Sequence, residues 1–398
     1  MKNWMLYLTV AAAAAGGYAN DWPVWRGPDG NGISKETGWD SSGAKTLWTK
    51  ELGAGYSSVS VKGDKLYTMG HESADDKAGK DTVYCLDAKT GKEVWSYSYA
   101  SQTGGKYKGP RATPVIDGDC VYTVSQDGLV ICLDAASGKI KWQADVPGKT
   151  GNKNIRWGIS SSAVIEGNMI LLNIGSAGVA LDKNSGSIKW SSVGAPSYAS
   201  PVVFDRADKR CAAMFTASGL QTVDAKTGKQ IASIEWITKF DINGADPLVI
   251  GDKIFISSGY DRGCAMLDFS SGELNKLWES TALKTQFSSC VYIDGYIYGI
   301  DGQTKSKGTL RCISAADGSE KWSEQIGFGS LIAADGKLIV LGESGTLYFA
   351  ATAPDKYNEI SKMDTGLGQL CWTPPVLANG IIYCRNDKGT LVAINVSK

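Results

Sequence analysis

A motif of about eleven residues recurs along this chain and limits its fold more than any other feature. It is a strand ending in Leu-Asp, a polar turn, a glycine and then a tryptophan. It reads CLDAKTGKEVW at Cys85–Trp95, CLDAASGKIKW at Cys132–Trp142 and ALDKNSGSIKW at Ala180–Trp190. Looser copies end at Trp236, Trp278 and Trp322. Each copy follows a second unit: Pro or Ser, two apolar residues, a Gly-Asp-like turn and an alternating strand. Examples are TPVIDGDCVYTV at Thr113–Val124 and PPVLANGIIYCR at Pro374–Arg385. Together the two units give four short strands, A to D. Tryptophans at 48, 95, 142, 190, 236, 278 and 322 set a period of 42 to 48 residues, that of four-stranded propeller blades. One blade cannot bury both its faces, so blades must stack around an axis.

The turn has a chemical reason at each position. The aspartate accepts from backbone N–H groups two or three residues on. The glycine takes the positive φ that closes the turn onto strand D. The tryptophan brings a large apolar surface to the seam between blades, so Trp48, Trp95, Trp142, Trp190, Trp236, Trp278 and Trp322 are expected as docking residues. Copy seven departs, reading YFAATAPDKYN at Tyr348–Asn358, with Tyr357 where the tryptophan would stand. Seven runs have all their strands in order, at 56–95, 112–142, 159–190, 197–236, 244–278, 286–322 and 328–360. An eighth, 372–396, stops after three strands, and TLWTKEL at Thr46–Leu52 supplies the fourth. The expectation is an all-β, eight-bladed β-propeller of four-stranded antiparallel blades, closed by an N-terminal strand that completes the last blade. Seven blades is the alternative if copy seven has decayed. The chain then divides into 1–19, a leader at 20–45 and the propeller domain at 46–398.

Residues 1–19 read as a cleaved signal peptide. Lys2 precedes an apolar run from Trp4 to Ala15, and Gly17 and Ala19 are the small residues before a cut at Asn20. The run is about 12 residues, short of the roughly 20 that span a bilayer. A periplasmic or secreted product without a transmembrane segment is expected. The 41 Lys+Arg and 41 Asp+Glu balance, which excludes a general nucleic-acid or polybasic membrane surface. A single histidine, His71, removes most His-dependent zinc, haem and triad chemistry. The stretch HESADDKAGKD at His71–Asp81 lacks the acidic spacing of a calcium loop and reads as a solvated mixed-charge loop. Nine cysteines is an odd number. Cys85, Cys132 and Cys312 fall at equivalent points of the repeat and read as small buried hydrophobes, while a Cys120–Cys132 pairing across one hairpin stays open. A monomer is expected.

The Asp-x-x-Thr/Ser-Gly-x-x-x-Trp copies resemble the tryptophan-docking repeat of pyrroloquinoline-quinone (PQQ)-type propellers, over essentially all of the chain after the signal. The leader WPVWRGP at Trp22–Pro28, and Gly109–Pro114, are similar to exported bacterial PQQ-like repeat proteins. Two better-known relatives imply different functions. Quinoprotein alcohol dehydrogenases would imply PQQ, calcium and oxidation of an alcohol or sugar. They typically carry adjacent cysteines over the cofactor, whereas no two cysteines are adjacent here. Their calcium-binding acidic and amide set and catalytic aspartate match no specific positions. The propeller lipoprotein of the outer-membrane barrel-assembly machine would imply docking, but its lipidated N-terminal cysteine is absent. One fold hosts both kinds of function.

The A–B turns, at Gly63-Asp64, Gly118-Asp119, Gly167-Asn168 and Gly251-Asp252, are short and repetitive and read as structural. The D–A connections and B–C loops share the opposite face and vary in length, as binding loops do. This face is expected to carry His71, and Arg111, Trp157, Tyr198, Asp246, Arg262 and Trp372 around the channel mouth. Arg111 would hold a carboxylate or phosphate, Asp246 would pair with it or meet a cation, and the rings would stack on a planar or sugar ligand. The competing structural reading is an Arg–Asp ion pair with aromatics filling the channel. The expected function is a non-catalytic binding or scaffold module for a protein or small polar ligand, with no cofactor and no metal. The alternative is a PQQ- and calcium-dependent quinoprotein oxidoreductase.

Overall fold

Apolar alternation decides which strands become interior. In the second blade, strands B (Cys120–Val124) and C (Leu129–Asp134) are buried on both faces, because a neighbouring blade packs on each side. Strand D of the first blade, Glu93–Gln102, alternates with solvent because it forms the rim. The computed structural model describes residues 20–75, 78–102, 106–304 and 308–397. The signal-peptide reading concerns residues outside these. Eight antiparallel blades follow in order. Blade 1 is Ser60–Lys62, Lys65–Ser73, Ala78–Asp87 and Glu93–Gln102. Blades 2 to 7 begin at Val115, Val164, Val202, Leu248, Val291 and Gly329. Blade 8 is Val376–Ala378, Ile381–Arg385 and Thr390–Asn395, completed by Lys45–Glu51 with Trp48 opposite Ala393. Strands A of most successive blades touch one another, so they surround the axis. Among the described residues no helix is long and apolar enough to cross a membrane.

The seams are built by the turn motif. Trp48, Trp95, Trp142, Trp190, Trp278 and Trp322 each donate Nε1 to a turn carbonyl of the next blade, at 2.7–3.2 Å. Five of these indoles cover the turn glycine, and a Cβ on Gly91, Gly138, Gly186, Gly228 or Gly318 would come within 2.5–2.7 Å of the ring. The glycine thus serves the left-handed turn and the close approach together. The turn aspartate accepts as expected: Asp87 Oδ1 takes Thr90 N at 2.9 Å and Thr90 Oγ1 at 2.7 Å.

Trp236 is not a docking residue, contrary to expectation. In blade 4 the register places Ala232 opposite Thr222, where blade 1 has Trp95 opposite Cys85. Trp236 lies beyond strand D, buried, with its Nε1 on Ser258 Oγ at 3.1 Å. Arg206 takes the docking place. It donates to Phe269 O at 2.8 Å and Ser270 O at 2.7 Å, covers Gly272, and lies 5.0 Å from the Phe269 ring centroid. A guanidinium can replace an indole here because it too is flat and carries N–H donors at its edge. In blade 7 Ser361, not Tyr357, stands opposite Phe349, and Tyr357 packs on Trp322 at 5.7 Å.

Two further expectations change. The stretch His71–Asp81 is solvated in its described middle, where Glu72–Asp75 and Lys80 are exposed, but strands B and C of blade 1 run on to Ser73 and from Ala78, with His71 opposite Asp81. Their side chains are fully buried, with Nδ1 and Oδ1 2.7 Å apart. The cysteine question closes on free thiols, all nine unpaired and all but Cys120 buried.

Candidate functional site

A belt of hydrogen bonds marks the entrance to the innermost strands. Ser58 N donates to Thr113 Oγ1, Thr113 N to Ser162 Oγ and Ser162 N to Ser200 Oγ, each at 3.0 Å. Ser200 N then donates to Asp246 Oδ1 at 2.7 Å, and Asp246 N to Ser289 Oγ at 2.9 Å. Each belt residue joins one blade to the next. Side chains of extended backbone repeat every two residues, so the position two upstream of each belt residue returns to the same side. Those positions are Tyr56, Arg111, Ser160, Tyr198, Gly244 and Phe287, with Trp372 at the matching place before Pro374. All seven line one cavity of about 260 Å³.

The cavity opens among the D–A connections and B–C loops, and the leader closes its other end. Trp22 bridges Val61 of blade 1, Pro23 O accepts from Ile116 N of blade 2, and Ile33–Ser34 pairs in parallel with Ala333–Ala334 of blade 7. Ser34 Oγ reaches Leu377 O of blade 8 at 3.3 Å. The leader also reaches the opposite side of the ring, where Arg26 Nη2 donates to Cys290 O at the start of blade 6, so it crosses the axis. Trp25 forms the cavity floor and donates Nε1 to Asp246 Oδ2 at 2.6 Å.

Among the described residues two charged ones line the cavity, and their surroundings differ. Asp246 is buried with its two oxygens on Ser200 N and Trp25, and Arg26 Nη1 lies 3.9 Å away. Burial pushes its carboxyl up, while Arg26 opposes the shift. Burial likewise pushes the Arg26 guanidinium down. Asp246 is therefore the belt member whose second oxygen anchors the leader. Arg111 donates to Gly109 O at 2.8 Å, Gln126 Oε1 at 2.8 Å and Tyr107 O at 2.6 Å. All three acceptors are uncharged, and burial pulls its pKa below the ordinary arginine value.

The walls are aromatic. Tyr56 and Trp372 stack at 5.3 Å with an 18° interplanar angle. Tyr107 stands tilted against Trp372 at 5.6 Å and edge-on to Trp157 at 5.4 Å. Burial pushes the Tyr198 phenol up to about 12, so it stays a neutral hydroxyl. Tyr260 accepts from Gln286 Nε2 at 2.8 Å.

Of the residues singled out from sequence, Arg111, Trp157, Tyr198, Asp246 and Trp372 meet in this cavity. Arg262 does not: its guanidinium lies 3.4 Å from the Trp236 ring centroid and pairs with Glu279. His71 is sealed against Asp81. Arg111 and Asp246 form no pair with each other, since Asp246 is taken by Arg26 and Trp25. Trp25, Tyr56, Tyr107, Tyr260 and Phe287 were missed. The two-residue offset from the Ser, Thr or Asp before each innermost strand would have found Tyr56 and Phe287. Nothing local marks Trp25.

The donor set does not suit a calcium–quinone site. Among the described residues Asp246 is the sole carboxylate lining the cavity, and its oxygens are engaged. Among the described residues no group of three His, Cys, Asp or Glu gathers where a metal could bind. The buried Cys371, beside Trp372, is a single thiol without an adjacent cysteine.

Structural comparison places the fold among known propellers. BamB from Moraxella catarrhalis superposes with a TM-score of 0.65 and 18% identity, covering 88% of this chain and 97% of that one. The quinohemoprotein alcohol dehydrogenase of Comamonas testosteroni gives 0.69 and 13%, covering 97% and 82%. The computationally designed protein Ika8 gives 0.59 and 12%, covering 87% and 98%. These identities establish a shared fold alone. No curated protein matches the chain in sequence. The family model described as outer membrane protein assembly factor BamB matches residues 36–112 and 79–324. With most of its blades inside those limits, the chain belongs to the BamB outer membrane protein assembly factor family.

Proposed function

We propose that this protein is an exported, non-catalytic binding module whose ligand enters the aromatic cavity on its variable-loop face. The observation that carries the reading is the closed floor. Trp25, Asp246 and Arg26 turn a channel into a one-ended, ring-lined pocket, the form of a small-molecule site. The engaged state of Asp246 weighs against a metal-assisted oxidation. Exposed Ile237 and Phe240, 52% and 47% accessible, belong to the connection that supplies Ile242 and Gly244 to the cavity. They favour a second form of the same reading, in which a protein partner docks on this face. Partner binding also fits the assembly role in the family's description.

The test is calorimetric titration of the purified protein with PQQ and Ca²⁺. No saturable heat up to about a millimolar, a regime of ~4 kcal/mol, is the expected result. Calcium-dependent one-site binding would overturn the reading and start a search for alcohol oxidation. Export is tested by N-terminal sequencing of protein recovered outside the cytoplasm, with Asn20 expected as the first residue.

A further inference from the structure

We propose that the cavity binds a cyclic, hydroxylated carboxylate, a hexuronic acid in size and chemistry, with its carboxylate on Arg111 and one ring face on the aromatic wall. This rests on the binding-module reading above and adds the class of ligand.

Charge is the first argument. Arg26 matches the charge of Asp246, whereas Arg111 has no ion-pair partner among the described residues. Its three bonds go to neutral oxygens and fix the guanidinium plane. The Nε hydrogen and one Nη2 hydrogen remain unused, enough for a two-point contact with a carboxylate. Two more cations stand over the same wall: Lys106 lies 5.7 Å from the Tyr107 ring centroid and Arg156 4.9 Å from that of Trp157. Asp81 and Asp127 act on Arg111 from a distance, but neither pairs with it or lines the cavity, so inside the cavity its positive edge is left to an anion.

Shape and polarity supply the rest. Tyr56 and Trp372 stack on each other and Tyr107 stands tilted between Trp372 and Trp157, so the wall offers single ring faces to the apolar side of a ligand ring. The same cavity presents hydroxyls of Ser160, Tyr198, Tyr260, Thr304 and Thr373. A purely aromatic ligand would take water from those hydroxyls without replacing its hydrogen bonds, and such losses are costly. A pyranose ring carries C–H groups on its face and hydroxyls on its edge, so it meets both surfaces. The cavity of about 260 Å³ has room for a sugar ring, and its closed floor gives a threaded polymer no exit.

The experiment is calorimetry of the purified protein with glucuronate, glucose and benzoate. Glucuronate should bind at one site at least tenfold more tightly than either of the others, a difference of about 1.4 kcal/mol. Arg111→Gln should erase the preference for glucuronate over glucose, and Arg111→Lys should restore part of it. Because Arg111 also holds the 107–109 backbone, Trp157→Ala is the independent variant, expected to weaken glucuronate and glucose alike. Melting curves establish that each variant is folded. Equal affinity for glucuronate and glucose, tighter binding of benzoate, or binding of none of the three would overturn the inference. Any of those results leaves the binding-module reading standing unless PQQ with calcium binds, which would remove both.

Discussion

Two residues stand where the repeat calls for another kind, and each stands there for a physical reason. Arg206 fills a seam position that six other blades give to tryptophan, using a flat cation over Phe269 and two charge-assisted bonds to turn carbonyls. Arg206→Ala should lower stability by about 1.5–3 kcal/mol, the range for bonds to a charged donor, as read by urea denaturation. Asp246 stands where five other blades have Ser or Thr, because its second oxygen must hold Trp25 and face Arg26. Asp246→Ser keeps a belt acceptor yet strands a buried guanidinium, so a loss of about 3–5 kcal/mol is expected. The double change Asp246→Ser with Arg26→Met should recover part of it. No recovery would mean that Trp25, rather than the ion pair, carries the cost.

At the scale of the element, the repeated turn is an acid-sensitive unit. Hydrogen bonds from Ser or Thr hydroxyls hold Asp87, Asp134, Asp224 and Asp317 below the ordinary carboxylate value, with Asp317 at about 2. A depressed value means the stabilisation is complete above the unfolded pKa and is lost as pH falls through the folded one. The urea midpoints of the protein and of Asp317→Asn should therefore differ most above the ordinary aspartate value of 3.8 and converge towards about pH 2. A gap that stayed constant with pH would sink this account. The strand pattern and the turn residues of this element are local, and its seam contacts recur one repeat away, so period, glycine and aspartate announced them. The failure at blade 4 was also local in origin. A spacing of 46 residues between Trp190 and Trp236 fits the period, but a tryptophan four residues past Ala232 is out of register.

For the whole molecule, closure and leader determine what the ring can hold. Lys45–Glu51 covers the edge of Thr390–Asn395, and Arg385, fully buried, donates from blade 8 to Ser57 O, Thr68 Oγ1 and Gly53 O at 2.9–3.1 Å. A chain beginning at Gly53 would leave an open strand edge, and such edges pair with other chains. Size-exclusion chromatography should then find oligomers where the intact protein runs as one species. A monomeric truncated form would mean that side-chain packing at the seam suffices.

The sequence by itself determined the blade, the blade count and the strand that closes the ring, because these follow from periodic short-range patterns and from one unpaired strand at each end. It also picked out Arg111, Trp157, Tyr198 and Trp372, because loops between innermost strands must converge on the axis of any propeller. Tertiary structure alone decided what Asp246 does, where Trp25 lies and why Arg26 is buried. Those roles depend on a contact between residues 25 and 246, a separation no local pattern encodes. They exist only once eight blades have set the width of the channel that the leader fills.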